Sequence, residues 1–286
     1  MPVDAEAAAP NAPALLQPER GSPVGPEGVL LESADPANAS VRVLALNRPG
    51  RRNALSPELT LALHQRLVEL TADSSVRAVV LTGVGPIFCA GGDLGGGMGG
   101  DGFLAAHAAR AGFARLLLTF LEGPLPVIAA VQGDALGGGF GLAMACRMVV
   151  AAAGARFGAP ELRLGLFPMM IWPVLARNVP DKLLHELVLT DRRVGAAEAE
   201  ARGLINAAVA AEDVLPRALE LARAVADRSP AVVRLGLQAA AAAGRMPIDT
   251  ALHHLHSQLS LNLMTEDAAE GIAAFLERRP PVWSGR

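Results

Sequence analysis

Short apolar blocks separated by turn residues set the rhythm of this chain. Val29–Leu31 and Val41–Leu46 are brief β-branched runs, which predicts strands. Ser56-Pro57-Glu58 opens a helix. Serine suits the N-cap, proline the first helical position, and glutamate the positive helix end. Leu59, Leu61, Leu63, Leu67 and Leu70 supply the apolar face, to about Leu70. Arg77–Thr82 (RAVVLT) is almost continuously apolar, the pattern of a strand buried on both faces of a parallel sheet. A Gly-rich stretch runs from Gly83 to Gly102. Phe103–Leu121 reads as a helix, Leu125–Val131 as a second buried strand, Gly137–Cys146 as a Gly-started helix and Met148–Ala152 as another strand.

Strands alternate with helices as far as Ala152, which predicts an α/β fold with parallel, right-handed crossovers. After Leu164 the character changes. From about Asp181 the segments are mostly helical: Asp181–Leu189, Ala196–Arg202, Val214–Ala226, Ala231–Ala243, Thr250–Met264 and Thr265–Arg278, with a short strand at Ala207–Val209. The expected organisation is a flexible Ala/Pro-rich tail over 1–27, an α/β core over 28–210 and a C-terminal helical part over 211–286. No solenoid period is present.

Composition narrows the functional classes. The chain has 286 residues, 51% of them hydrophobic, enough for a large core. Lys and Arg number 25 against 28 Asp and Glu, so no charge balance favours nucleic acid or an anionic membrane. Aromatics are 3%, too few for a base-stacking platform. No uninterrupted apolar run reaches the roughly 18–20 residues of a membrane span. Cys89 and Cys146 cannot make a disulfide framework, and a reducing cytoplasm is the expected compartment. Residues Met1 to Glu27 lack the basic and apolar regions of a secretory signal and the Arg-rich character of a mitochondrial presequence.

Several chemistries find no motif. There is no GxxxxGK[ST] phosphate loop and no GxSxG elbow. The dinucleotide pattern GxGxxG fails from Gly137, because the sixth position is Leu142. What remains is a pair of Gly-rich junctions, each after a buried strand: Phe88-Cys89-Ala90-Gly91-Gly92-Asp93-Leu94 and Gly133 to Leu142. Glycine lets the backbone approach a ligand, and a free N–H at a helix start is a donor for developing negative charge. One such junction alone reads as a tight turn; the pair points to an oxyanion site.

Four blocks in order resemble the crotonase superfamily, the enoyl-CoA hydratase/isomerase family. They are Leu46-Asn47-Arg48-Pro49 with Asn53-Ala54-Leu55, then FCAGGDL at Phe88–Leu94, ALGGGFGLAMAC at Ala135–Cys146, and FGAPELRLGLFP at Phe157–Pro168. The closing run from Phe275 to Trp283 is similar as well, so the resemblance covers about residue 28 to the end. It implies a spiral of ββα units with a C-terminal helical trimerisation region, and a homotrimer or dimer of trimers. It implies an acyl-CoA thioester substrate with no separate cofactor and no metal. By position in the motifs, the backbone N–H groups of Gly92 and Gly138 would hold the thioester oxygen. The Ala90–Leu94 segment, including Asp93, would contact coenzyme A through its backbone. Arg51 and Arg52 fall near where the family binds coenzyme A, and Arg52 is the one expected to meet a phosphate.

The family also places carboxylates at two positions. One is Glu161, after Phe157-Gly158-Ala159-Pro160. The other follows the triple glycine by two residues, and here it is Gly141. A single glutamate is the arrangement of family isomerases, which move one proton between carbons. The expected chemistry is therefore an enolate held in the oxyanion hole with Glu161 as single acid/base, leaning to double-bond isomerisation. Hydration despite Gly141, another acyl-CoA reaction of the family and a non-catalytic acyl-CoA-binding role stay open.

Met169, Met170 and Trp172 are bulky where many family hydratases carry a Gly-rich run. They read as walls of an adaptable acyl pocket, or as packing of a short helix. Gly95–Gly97, Gly99, Gly100 and Gly102 read as a lid or a plain surface loop. Asp134 reads as a turn or cap residue that could reach the site. Cys89 reads as a small buried thiol, and His253, His254 and His256 as an interface or solvated face.

Overall fold

The computed structural model describes residues 17–93 and 102–286. Its main sheet starts with an antiparallel ribbon of β1 (Ser22–Val24), β2 (Leu30–Asp35) and β3 (Asn38–Leu46). From β3 onward the neighbours are parallel: β4 (Ala78–Gly83), β5 (Val127–Val131), β7 (Met148–Ala152) and β10 (Ala207–Val209). The order across the sheet is β1-β2-β3-β4-β5-β7-β10. Every residue of β4 and β5 is buried, as their apolar runs predict for central parallel strands.

The crossovers are helical. α1 (Pro57–Ala72) joins β3 to β4, and the hydroxyl of Ser56 accepts from Leu59 N–H as its N-cap. Leu59, Leu63, Leu67 and Leu70 are buried, whereas Leu61 is 53% exposed. Leu61 stands two residues from Leu59, about 200° around the helix, so it cannot share that face. α2 (Phe103–Glu122) joins β4 to β5, and α3 (Gly138–Ala145) lies between β6 (Ala135–Leu136) and β7.

Two expected boundaries move. Residues 22–24 of the expected tail pair with β2, so the sheet starts before residue 28. α7 (Val214–Ala226) lies on β3, β4, β5 and β7, so the core continues past residue 210. Val214, Ala218, Ala222 and Ala226 repeat every four residues and are buried, a small-residue stripe that lets the helix sit close to the sheet.

Sequence periodicity missed a second, small sheet. It consists of β6, β8 (Arg156–Gly158) and β9 (Val194–Gly195), in the order β6-β8-β9. Two or three residues are too few for a period to show. The rest of the chain is α4 (Trp172–Asn178), α5 (Asp181–Leu189), α6 (Ala196–Ala201), α8 (Pro230–Ala243), α9 (Ile248–Leu263) and α10 (Glu266–Glu277). The C-terminal residues fold back onto α10. Burial alone would lift the Asp267 carboxyl, but Ser229 Oγ and the N–H groups of Ser284 and Gly285 donate to it and hold it low.

Asp35, at the end of β2, is 1% exposed and takes a two-pronged contact from Arg223 of α7, at 2.6 and 2.7 Å. Burial pushes its carboxyl up; the guanidinium and the Ala37 N–H outweigh that and hold it below the usual carboxylate range. Arg223→Ala leaves a buried, unpaired carboxylate. The loss is expected to be about 2–3 kcal/mol in urea unfolding at neutral pH, at or below the low end for buried pairs because Arg223 is partly solvated. A carboxyl lowered in the fold stabilises above its unfolded pKa, so the difference should fade as pH drops below about 4.

Candidate functional site

A backbone ladder crosses four separate segments of the chain. Ala90 N–H donates to Arg52 O, Leu55 N–H to Gly91 O, and Asp93 N–H to Leu55 O. Cys89 N–H donates to Asp134 O and Leu136 N–H to Cys89 O. Gly137 N–H reaches Gly158 O at 2.8 Å. Parallel pairing uses alternate residues. Leu55 bonds to the residues on either side of Gly92, so the Gly92 N–H points the other way. Gly138 opens α3, where the first N–H groups have no intrahelical acceptor. Among the described residues, neither N–H donates a hydrogen bond.

These free donors lie side by side. A methyl group built on Gly138 would stand 3.6 Å from Gly92 N, and one built on Gly91 would stand 3.3 Å from Gly138 N. The Gly138 methyl would also meet Leu55 Cδ1 at 3.2 Å and Phe113 Cζ at 3.5 Å, so apolar side chains wall the donor pair. α3 comes this close because Gly139 has no side chain: a Cβ there would overlap the Cys89 carbonyl.

Glu161 arrives through the small sheet. β6 pairs with β8, Leu136 opposite Gly158, and the chain then turns at Pro160–Leu164. A Cβ on Gly137, whose φ is +52°, would lie 2.9 Å from Glu161 Oε1. The carboxylate therefore stands against the glycine next to the free donors. Its Oε2 is buried with no hydrogen-bond partner among the described residues. Burial pushes the Glu161 carboxyl above the usual range and outweighs the opposing hydrogen bond from its own N–H.

The other expected site residues sort by place. Arg51, Arg52, Ala90, Gly92 and Asp93 line one open cavity of ≈ 360 Å³. Asp93 pairs with Arg48 at 2.8 Å. Buried Asn53, at φ +53°, accepts from Arg48 N–H and donates to Val84 O and Ile87 O, which fixes the loop bearing the arginines. Leu94 and the glycines 95–97, 99 and 100 lie outside the described residues; Gly102 is the residue before α2. Asp134 is a clamp: it accepts from Arg156 N, Nε and Nη2 and so ties β8 to the ladder. Burial pushes the Cys89 thiol up to about 12, which suits the inert reading. The histidines 253, 254 and 256 sit on α9, and no metal-ligating group of three is present among the described residues.

Met169 is 70% exposed, and Trp172 stacks on Phe167 at 5.1 Å and, edge-on, on His185 at 5.3 Å. The residue of this run that turns toward α3 is Ile171, which is 2% exposed and which the sequence reading passed over. A Cβ on Gly141 would lie 2.2 Å from Ile171 Cγ2 and 2.7 Å from its Cβ. The available signal was the pairing of a glycine at 141 with bulk at 169–172.

The donor pair, the Glu161 carboxylate and the arginine-lined cavity form one candidate site, with Gly92 shared between donor pair and cavity. The comparisons agree. The enoyl-CoA hydratase/isomerase family model matches residues 36–286. A Thermus thermophilus protein named for enoyl-CoA hydratase is 39% identical over 250 residues, 84% of this chain and 96% of its own. Carnitinyl-CoA dehydratase of Escherichia coli is 34% identical, covering 87% and 97%. The enoyl-CoA hydratase structure from Mycobacterium smegmatis superposes with a TM-score of 0.85 at 33% identity, over 89% and 98% of the two chains. This chain belongs to the enoyl-CoA hydratase/isomerase family, with the crotonase-like fold, and is an acyl-CoA enzyme.

The raised Glu161 carboxyl has a stability consequence. Below the unfolded pKa of about 4.3 the residue is protonated in both states and carries no penalty. As pH rises through the folded pKa, the buried charge destabilises the fold. Glu161→Gln should thus raise the melting temperature at neutral pH, by about 2–4 °C for each kcal/mol relieved. In scanning calorimetry the gain should vanish near pH 4; a gain equal at both pH values would contradict the assignment.

Proposed function

We propose that this enzyme shifts the double bond of an enoyl-CoA thioester, with Glu161 as its single acid/base. The observation that carries the reading is a half-buried carboxylate, its Oε2 enclosed and without a partner among the described residues, beside two free N–H donors, with glycine at position 141. Gly92 and Gly138 N–H bind the thioester oxygen. Glu161 takes a proton from C2 of a 3-enoyl-CoA. The electron pair moves onto the thioester oxygen, where the donors hold the dienolate. Glu161 then returns the proton to C4, leaving the double bond between C2 and C3. Each donor is worth roughly 2.7–4 kcal/mol of barrier in such a hole. A carboxyl lifted toward neutrality suits both halves of the transfer. This chemistry calls for no cofactor beyond the coenzyme A of the substrate.

In the same proposal Arg52, with Arg51, meets a coenzyme A phosphate at the ≈ 360 Å³ cavity, which Ala90 and Asp93 also line. Met169 and Trp172 form the outer wall of the acyl pocket. The buried, unpaired cysteines suit a reducing cytoplasm. Hydration is the second reading, favoured by the names of the hydratase and dehydratase relatives.

Mass spectrometry of a 3-enoyl-CoA incubated with the enzyme separates the readings. Isomerisation yields a product of unchanged mass, and Glu161→Gln should slow it about 10²–10⁴-fold. A product heavier by one water establishes hydration. No turnover by either enzyme supports the binding-only alternative.

We further propose a homotrimer or dimer of trimers. Leu252, Leu259 and Leu263 of α9 and Ile272, Phe275 and Leu276 of α10 are all more than half exposed. Such an apolar surface is unusual for a monomer. Sedimentation velocity should give three or six times the chain mass of 29.5 kDa; a monomer would refute the assembly.

A further inference from the structure

The exchange at position 141 is a filled space as well as a lost carboxylate. Position 141 lies three and four residues beyond Gly138 and Gly137, on the same face of α3. Helical Cβ bonds lean toward the N-terminus, so a side chain there projects back over the turn that bears the free donor. Glu161 stands against Gly137 on that turn. A carboxylate on residue 141 would thus come to the side of Glu161. That route is occupied by Ile171, whose Cγ2 and Cβ lie 2.2 and 2.7 Å from where the Cβ of residue 141 would be.

Ile171 is held there by its backbone. Its N–H and that of Trp172 both reach Pro168 O, at 3.2 and 2.9 Å, so a tight turn delivers the side chain onto α3. It is the N-cap of α4, and it is 2% exposed. The glycine and the isoleucine therefore form one complementary pair: a larger residue at 141 is not accommodated while Ile171 is retained.

We infer that Ile171 is the reaction-specificity residue of this enzyme: it plugs the place of a second carboxylate and, with it, the place of a water held between two carboxylates. This rests on the isomerase reading of Glu161. Ile171 does not touch the reacting atoms, so it is a positioning residue, and its role must show in the product formed.

Gly141→Glu, Ile171→Gly and the double variant test it, beside Gly141→Glu/Ile171→Val. Glycine is required at 171, because alanine keeps the Cβ at 2.7 Å; valine keeps both offending atoms. Gly141→Glu alone should lower the melting temperature by more than about 5 °C, and Ile171→Gly should recover part of that loss. Only the Gly141→Glu/Ile171→Gly protein should hydrate a 2-enoyl-CoA, adding the hydroxyl of water to C3 and its proton to C2, about tenfold or more above the parent. Gly141→Glu/Ile171→Val should not.

The inference is overturned if Gly141→Glu hydrates as fast with Ile171 present as without it. It is equally overturned if the folded double variant, still isomerising, forms no more hydrate than the parent. A parent that already hydrates 2-enoyl-CoA faster than it isomerises defeats the proposed function instead. The melting temperatures of the four combinations still read the steric coupling in that case, and additive values would overturn the plug.

Discussion

Everything at the site depends on the backbone ladder that links residues 52–55, 89–93, 134–137 and 158. Its bonds are ordinary, but their alternation leaves Gly92 N–H pointing away from Leu55 with no acceptor among the described residues. The same ladder brings the start of α3 alongside, where Gly138 N–H lacks an acceptor for a different reason, the geometry of a helix end. One donor is left over by a sheet and one by a helix. Their convergence requires Gly139, which lets α3 settle on the Cys89 carbonyl.

The carboxylate is placed by a weaker-looking device. β6 and β8 share only a few pairs, yet they carry the chain from the donor turn to the Glu161 turn. Asp134 reinforces this by gripping Arg156 through backbone and side chain. Glu161 is thereby half-buried, with its Oε2 enclosed and without a hydrogen-bond partner among the described residues, a destabilising arrangement that the large surrounding core can absorb. In the proposed proton transfer, a relaxed Glu161 in water would be a poorer acid and base, because its pKa would lie further from neutrality. The proposed function and the local instability would share one cause, desolvation of that carboxylate.

Long-range ties complete the scaffold. α7, far in sequence from β3, β4 and β5, covers them and anchors Asp35 through Arg223. The expected boundary near 210 fails because helical periodicity tells how a segment folds, not what it packs on. Leu61 fails for a related reason: leucine at every second position reads as apolar, but only the helix angle decides which leucines reach the core.

Local patterning determined most of the elements of this protein, because apolar runs, the Ser56 cap and glycine punctuation act over a few residues. The motif residues also singled out Gly92, Gly138 and Glu161 from the chain alone, since backbone donors after buried strands and a carboxylate in a known block leave a readable trace. Tertiary structure alone decided that these groups meet, that Gly92 and Gly138 keep their N–H groups free, and that Ile171 fills the space above Gly141. Those outcomes depend on contacts between segments tens of residues apart. Such contacts have no period and no local propensity, so they exist only once the chain has closed on itself.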